Sequence, residues 1–124
     1  MKDIKNKNEK IHYYWNKGDS RNPQWAKERK RYGFDERETW SLDHTFFIWL
    51  YERLQMYVEC ANYDMTQHVI TIGDKTENLQ TWISILLNDL RKTLNDEVDA
   101  DFFDKSFEQN IVNIFKEIIL YLWW

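Results

Sequence analysis

A single cysteine, Cys60, leaves this 124-residue chain without an internal disulfide framework. Nothing in its composition therefore demands an oxidising compartment. One proline and three glycines supply too little turn chemistry for an all-β fold of many short strands. No apolar run approaches the ~20 residues that a membrane-spanning helix needs. The first ten residues, MKDIKNKNEK, lack the apolar core of a signal peptide. Catalytic signatures are missing as well: there is no GxSxG, no P-loop and no GxGxxG. Cys60, His12, His44 and His68 show no CxxC or HxxxH spacing, and the one ExxH, Glu9 with His12, lacks the second that a di-iron bundle needs, so neither a zinc site nor a di-iron site is expected, and no cofactor is implied. Cys60 reads as an inert buried thiol. All-α nucleotide pyrophosphohydrolases carry paired ExxE and ExxD helical motifs, and this chain has no such pair. An enzyme is disfavoured.

What the chain does have is aromatic side chains. Seven Trp, seven Tyr and seven Phe make up 17% of it, far too many for a disordered polymer. Its net charge of −4 conceals an asymmetry. Residues 1–37 carry eleven basic and six acidic side chains, whereas the remainder carries six basic and fifteen acidic ones. The chain is thus a basic aromatic arm on an acidic body. That division suits an anionic ligand at the arm, a basic partner at the body, or contact of the arm with the body or another subunit. A solvated tail that is basic by drift has the same composition.

Punctuation and periodicity predict an all-α fold, a small bundle of three long helices and one short one. Residues 1–21 read as an arm and 22–124 as a single helical domain. Residues 1–10 are polar enough to be disordered, while IHYYW at 11–15 is too aromatic to be left in water. Asn22 as N-cap, Pro23 at the first helical position and Gly33 as a left-handed stop define a short basic helix over 23–32. Trp25 and Tyr32, seven apart, fall on one face of it. A second helix is expected over about 42–62, with Leu42, Phe46, Leu50, Leu54, Tyr57, Val58 and Ala61 as its buried stripe, widened by Phe47 and Trp49. β-branched residues before Gly73-Asp74 allow a short strand near 68–72. The third helix, about 75–94, repeats Leu79, Trp82, Ile83, Leu86, Leu87, Leu90 and Leu94 at helical spacing. Asp74 and Glu77 resemble a capping box at its start. A fourth helix, about 104–122, carries Phe107, Ile111, Phe115, Ile118, Ile119 and Leu122, with Asp101 or Asp104 as cap. Trp123 and Trp124 are expected to seal the bundle or an interface, since leaving each in water forgoes ~2 kcal/mol of burial.

Three constellations qualify as candidate sites. Arg37, Trp40 and Asp43 are spaced by three, so a helix beginning at Asp35 would put them on one face. There Arg37 could grip a phosphate or carboxylate while Trp40 stacks on a base. The competing arrangement has Asp43 capping the long helix, Arg37 paired with Asp43 or Glu38, and Trp40 in the core. Lys27, Arg29, Lys30 and Arg31 with Trp25 and Tyr32 form a basic aromatic helix suited to nucleotide chemistry. A pI of ≈ 5.4 argues against a general DNA binder, and a solvated amphipathic face explains the same residues. Asp96, Glu97, Asp99, Asp101 and Asp104 form an acidic run, read either as loop and cap or as a surface that imitates nucleic-acid phosphates.

Residues 32–54 read YGFDERETWSLDHTFFIWLYERL. This stretch resembles a group of small bacteriophage- and prophage-encoded proteins with the pattern GFxxRETWxLD followed by an aromatic helix ending in WLYERL. The matching positions are Gly33, Phe34, Arg37, Glu38, Thr39, Trp40, Leu42, Asp43, Trp49, Leu50, Tyr51, Glu52, Arg53 and Leu54. Trp123-Trp124 resembles the tail of that group. The clear match spans 23 of 124 residues and carries no chemistry of its own. It implies an accessory role in the cytoplasm of a bacterial host, and by analogy the counteraction of a host defence. The expectation is a non-enzymatic, anti-CRISPR-like inhibitor that binds a host defence protein. The alternatives are a sponge for a nucleotide immune signal and a nucleotide-processing enzyme. Binding is expected at Trp25, Arg29, Arg31, Tyr32, Arg37, Trp40 and Asp43. Tyr14, Trp15, Trp123 and Trp124 are expected at a homo-oligomer interface.

Overall fold

A computed structural model describes residues 17–95 and 106–124. Within them the chain is mostly helical: α1 (Asn22–Tyr32), α2 (Leu42–Cys60), α3 (Leu79–Leu94) and α4 (Ser106–Ile118). Short 3₁₀ turns occupy Glu36–Thr39, Met65–Gln67 and Ile119–Tyr121. The all-α expectation needs one correction. The strand anticipated near 68–72 is real, and it belongs to an antiparallel hairpin of β1 (Val69–Ile72) and β2 (Lys75–Asn78). Expectations placed on His12, Tyr14, Trp15, the rest of residues 1–16, and the run Asp96, Glu97, Asp99, Asp101 and Asp104 lie outside the described residues.

The hairpin explains why α3 starts four residues later than its periodicity suggested. Gly73 takes φ +65°, the left-handed value that a two-residue turn demands, and Gly73-Asp74 joins the Ile72–Lys75 pair. Residues 75–78 are then committed to the ladder, with the Thr71 and Thr76 hydroxyls bonded across it at 2.7 Å. Asp74 and Glu77 therefore do not cap the helix. Asn78 does so, its side chain accepting from the Thr81 N–H at 2.9 Å. Trp82 then donates its indole N–H to the Ile70 carbonyl at 2.8 Å and fastens the hairpin to α3.

α3 is the central element, packed between α2 and α4. Leu79, Trp82, Ile83, Leu86, Leu90 and Leu94 are all buried, as their spacing predicted, while Leu87 of the same series is half-buried. Fully burying each such side chain is worth ~1.5–3 kcal/mol. α4 contributes Ile111, Ile114 and Ile118, and then tightens into a 3₁₀ turn instead of running to 122, which leaves Ile119 exposed.

α2 departs most from its predicted stripe. Phe47, Leu50 and Leu54 are buried as expected, but Leu42, Trp49 and Val58 are exposed. Ile48 and Tyr51 take interior places instead. The helix has apolar residues on nearly every face, so periodicity alone could not choose among them. α2 also ends at Cys60 rather than 62, and Cys60 is exposed, which corrects its reading as a buried thiol. In α1, Gly33 closes the helix at φ +85° as predicted, its N–H donating to the Arg29 carbonyl at 2.9 Å. The N-cap is Arg21 rather than Asn22. Among the described residues no helix is long and apolar enough to cross a membrane.

Candidate functional site

The RETW segment forms a corner between α1 and α2. Asp35 precedes a 3₁₀ turn and accepts from the Arg37 N–H at 2.9 Å, while the Glu38 carboxylate accepts from the Asp35 N–H at 3.2 Å. Arg37 Nε and Nη2 donate to the two oxygens of Asp35 at 3.0 and 2.7 Å, and Arg29 Nη1 adds a third side-chain bond at 2.6 Å. Asp35 and Arg37 are both buried. Burial by itself would push the Asp35 carboxyl up; the Arg37 and Arg29 hydrogen bonds outweigh it and hold the group at about 2.

The aromatic rings complete the corner. The Arg37 guanidinium lies 4.5 Å from the centre of the buried Trp25 ring, and Trp40 meets Trp25 edge-on at 5.9 Å. Arg21 covers both rings, at 4.8 and 5.5 Å. The Trp25 N–H donates to Glu36 at 3.3 Å. Four predicted site residues, Trp25, Arg29, Arg37 and Trp40, are therefore brought together, but around Asp35. The side-chain hydrogen bonds of Arg37 go to Asp35, two residues away, rather than to the anticipated Asp43 or Glu38, and the Glu38 charge adds an attraction.

The predicted helical face from Arg37 to Asp43 does not form. Ser41 adopts φ −132° and ψ 77°, a break between the 3₁₀ turn and α2. Asp43 instead lies exposed in the first turn of α2, lining a cleft of ≈ 360 Å³ with Phe47, Glu108 and Lys116. Tyr32 is exposed and stands apart from Trp25, with the Arg31 guanidinium over its ring at 5.2 Å. The corner is an architectural lock. Its cations and rings join α1 to the 3₁₀ turn that leads into α2.

A different concavity lies at the end of α2, the hairpin entry and the last residues of the chain. Asn62, Tyr63, His68, Tyr121, Trp123 and Trp124 line a half-open cleft of ≈ 520 Å³. Tyr63 donates its hydroxyl proton to the Tyr121 carbonyl at 3.1 Å, leaving its oxygen to accept from Tyr57. Tyr57 also lies 3.4 Å from the Trp123 carbonyl. Burial, then the bond with Tyr63, pushes the Tyr57 phenol above its ordinary range. The His68 ring sits between Tyr63 at 5.9 Å and Tyr121 at 5.5 Å. These contacts clamp the backbone of residues 121–123 and leave the Trp123 and Trp124 side chains 77% and 64% exposed. The two tryptophans do not seal the interior.

No lysine, arginine, aspartate or glutamate lines this cleft among the described residues. Its rings can stack on planar groups, its indole and phenol edges can donate, and Asn62 can both donate and accept. Of its members, sequence reading singled out only Trp123 and Trp124 as an interaction surface. Tyr63 and His68 carried no periodic signal, and Tyr121 reads as part of the last helical stretch. Among the described residues, no group of three or more His, Cys, Asp or Glu could hold a metal ion. Comparison of the chain with protein-family models, with curated proteins and with solved structures finds no match.

Proposed function

We propose that this chain is a non-catalytic accessory protein of a bacteriophage or prophage. In this reading it counteracts a host defence in the bacterial cytoplasm by binding a defence effector protein. The observation that carries the reading is the aromatic cleft with its two outward tryptophans. Protein interfaces are anchored by a few Trp, Tyr and Arg side chains near the centre of the contact. Here such anchors are held on a clamped backbone, so their ordering cost is partly met before binding. The resemblance of residues 32–54 to phage-encoded proteins supplies the setting. The acidic body suits an effector with a basic surface.

The test uses bacterial strains that each carry one defence system, challenged with a phage that the system restricts. Expression of the protein is expected to restore plaques in at least one strain. Trp123→Ala with Trp124→Ala should remove that rescue. No rescue in any strain would sink the proposal.

A nucleotide sponge is the second reading, and one observation favours it: the cleft is of a size and ring content to stack a nucleobase, worth ~1–3 kcal/mol per base. It transfers the expected ligand site from Arg37 and Trp40 to the cleft, because Arg29 and Arg37 are engaged by Asp35. Heat release from protein purified out of a signalling cell distinguishes the readings. An intact nucleotide supports the sponge, a converted product an enzyme, and no nucleotide the protein inhibitor.

A further inference from the structure

α2 is apolar on two faces; the core takes one of them and, of the other, Phe46, which meets Phe115 edge-on at 5.5 Å. Phe47, Ile48, Leu50, Tyr51 and Leu54 point inward. A second series, Leu42, Phe46, Trp49, Arg53, Met56 and Cys60, advances by alternating steps of four and three along the whole helix. Leu42 is 64% exposed, Trp49 47% and Met56 57%. Arg53 and Cys60 are exposed too, and Phe46 is half-buried, stacked on Trp49 at 6.0 Å. Exposed apolar residues scattered singly are ordinary. A repeat of 3.5 residues is the period of a helix–helix seam.

We propose that this seam pairs antiparallel with the same seam of a second copy of the chain, forming a two-fold symmetric homodimer through α2. Reversing the series against itself sets Leu42 opposite the partner's Cys60, Phe46 opposite the partner's Met56, and Trp49 opposite the partner's Arg53. Each pairing is a favourable type: apolar contact, sulfur on an aromatic ring, and a cation over an indole face. Arg53 already lies 4.8 Å from the centre of Trp49 in its own chain, so the dimer contact extends an existing one. Charge decides the direction. A parallel pair would set Arg53 against Arg53 at the middle of the contact. The antiparallel pair separates them, sets each against a tryptophan, and places Asp43 opposite the partner's Glu59 only at the outer ends, where water and salt screen the repulsion. The self-matching order selects a second copy over an unrelated helix, because a two-fold axis demands it. At 19 residues, α2 provides ~28 Å of overlap. The inference is independent of the aromatic cleft and of the partner proposed for it.

Cys60 is the chain's single cysteine, which makes the register testable by cross-linking. Under mild oxidation, Leu42→Cys should give a disulfide-linked dimer whose digested peptides join position 42 to position 60. Wild type, with Cys60 alone, should not cross-link. Light scattering should give the dimer mass for wild type and the monomer mass for Trp49→Glu with Met56→Glu, with unchanged helical circular dichroism. Monomeric wild type, a 60-to-60 link, or an undiminished mass in the double variant would each overturn the proposal.

Discussion

Asp35 shows how one residue can redirect a whole motif. Residues 32–43 carry cations and a tryptophan at suggestive spacing, and among them Asp35 has the local pattern of a helix start and nothing more. Its carboxylate instead gathers Arg29 and Arg37 away from solvent. Removing one partner of such a buried pair leaves an uncompensated charge and costs ~3–5 kcal/mol. Asp35→Ala is therefore expected to lower the unfolding free energy read from urea titration by an amount in that range, and Arg37→Ala similarly. The folded carboxyl is held at about 2, below its ordinary 3.8, so its contribution is present above pH 4 and is lost as pH falls toward 2. The difference is worth about 2 kcal/mol. Acid titration of stability should show this loss in wild type, and Asp35→Asn should flatten it between pH 4 and 2. The polar cluster was not legible in sequence because nothing local says that Asp35 will be buried.

Elements whose signals are local were read well, and those that depend on neighbours were not. α3 carries its stripe from Leu79 to Leu94 because its large apolar residues recur at helical spacing and little else in the helix competes with them for burial. Gly33 ended α1 because the left-handed residue at a helix end is a backbone requirement. The start of α3 was misplaced because the hairpin competes for residues 75–78, and two threonine hydroxyls and the Trp82–Ile70 bond decide for the strand. Asn78 is thus both the last ladder residue and the helix cap. Asn78→Ala should cost ~1 kcal/mol, the usual value of a lost cap, whereas Glu77→Ala should stay within ~0.5 kcal/mol. Thermal melts of the two variants check this order, and equal losses would place the cap elsewhere. α2 was the least legible element, since its interior face and its exposed seam are both apolar.

Across the whole molecule, the aromatic surplus divides into a lock at the α1–α2 corner, a core around α3, and rings turned outward at the chain end. Trp123 and Trp124 are mostly exposed, so replacing both by alanine should move stability by less than ~0.5 kcal/mol while removing binding. A large fall in melting temperature would show instead that they support the fold. The sequence by itself determined the helical class, the α3 stripe, the glycine stops and the charge asymmetry. These follow from composition and from periodicities that span a few residues. Only the tertiary structure decided which face of α2 turns inward, that Asp35 gathers the arginines, and that Tyr57 and Tyr63 meet the backbone of residues 66 and 58 positions later. The physical reason is that burial and long-range pairing depend on what the rest of the chain brings to the same place, and no local pattern records that.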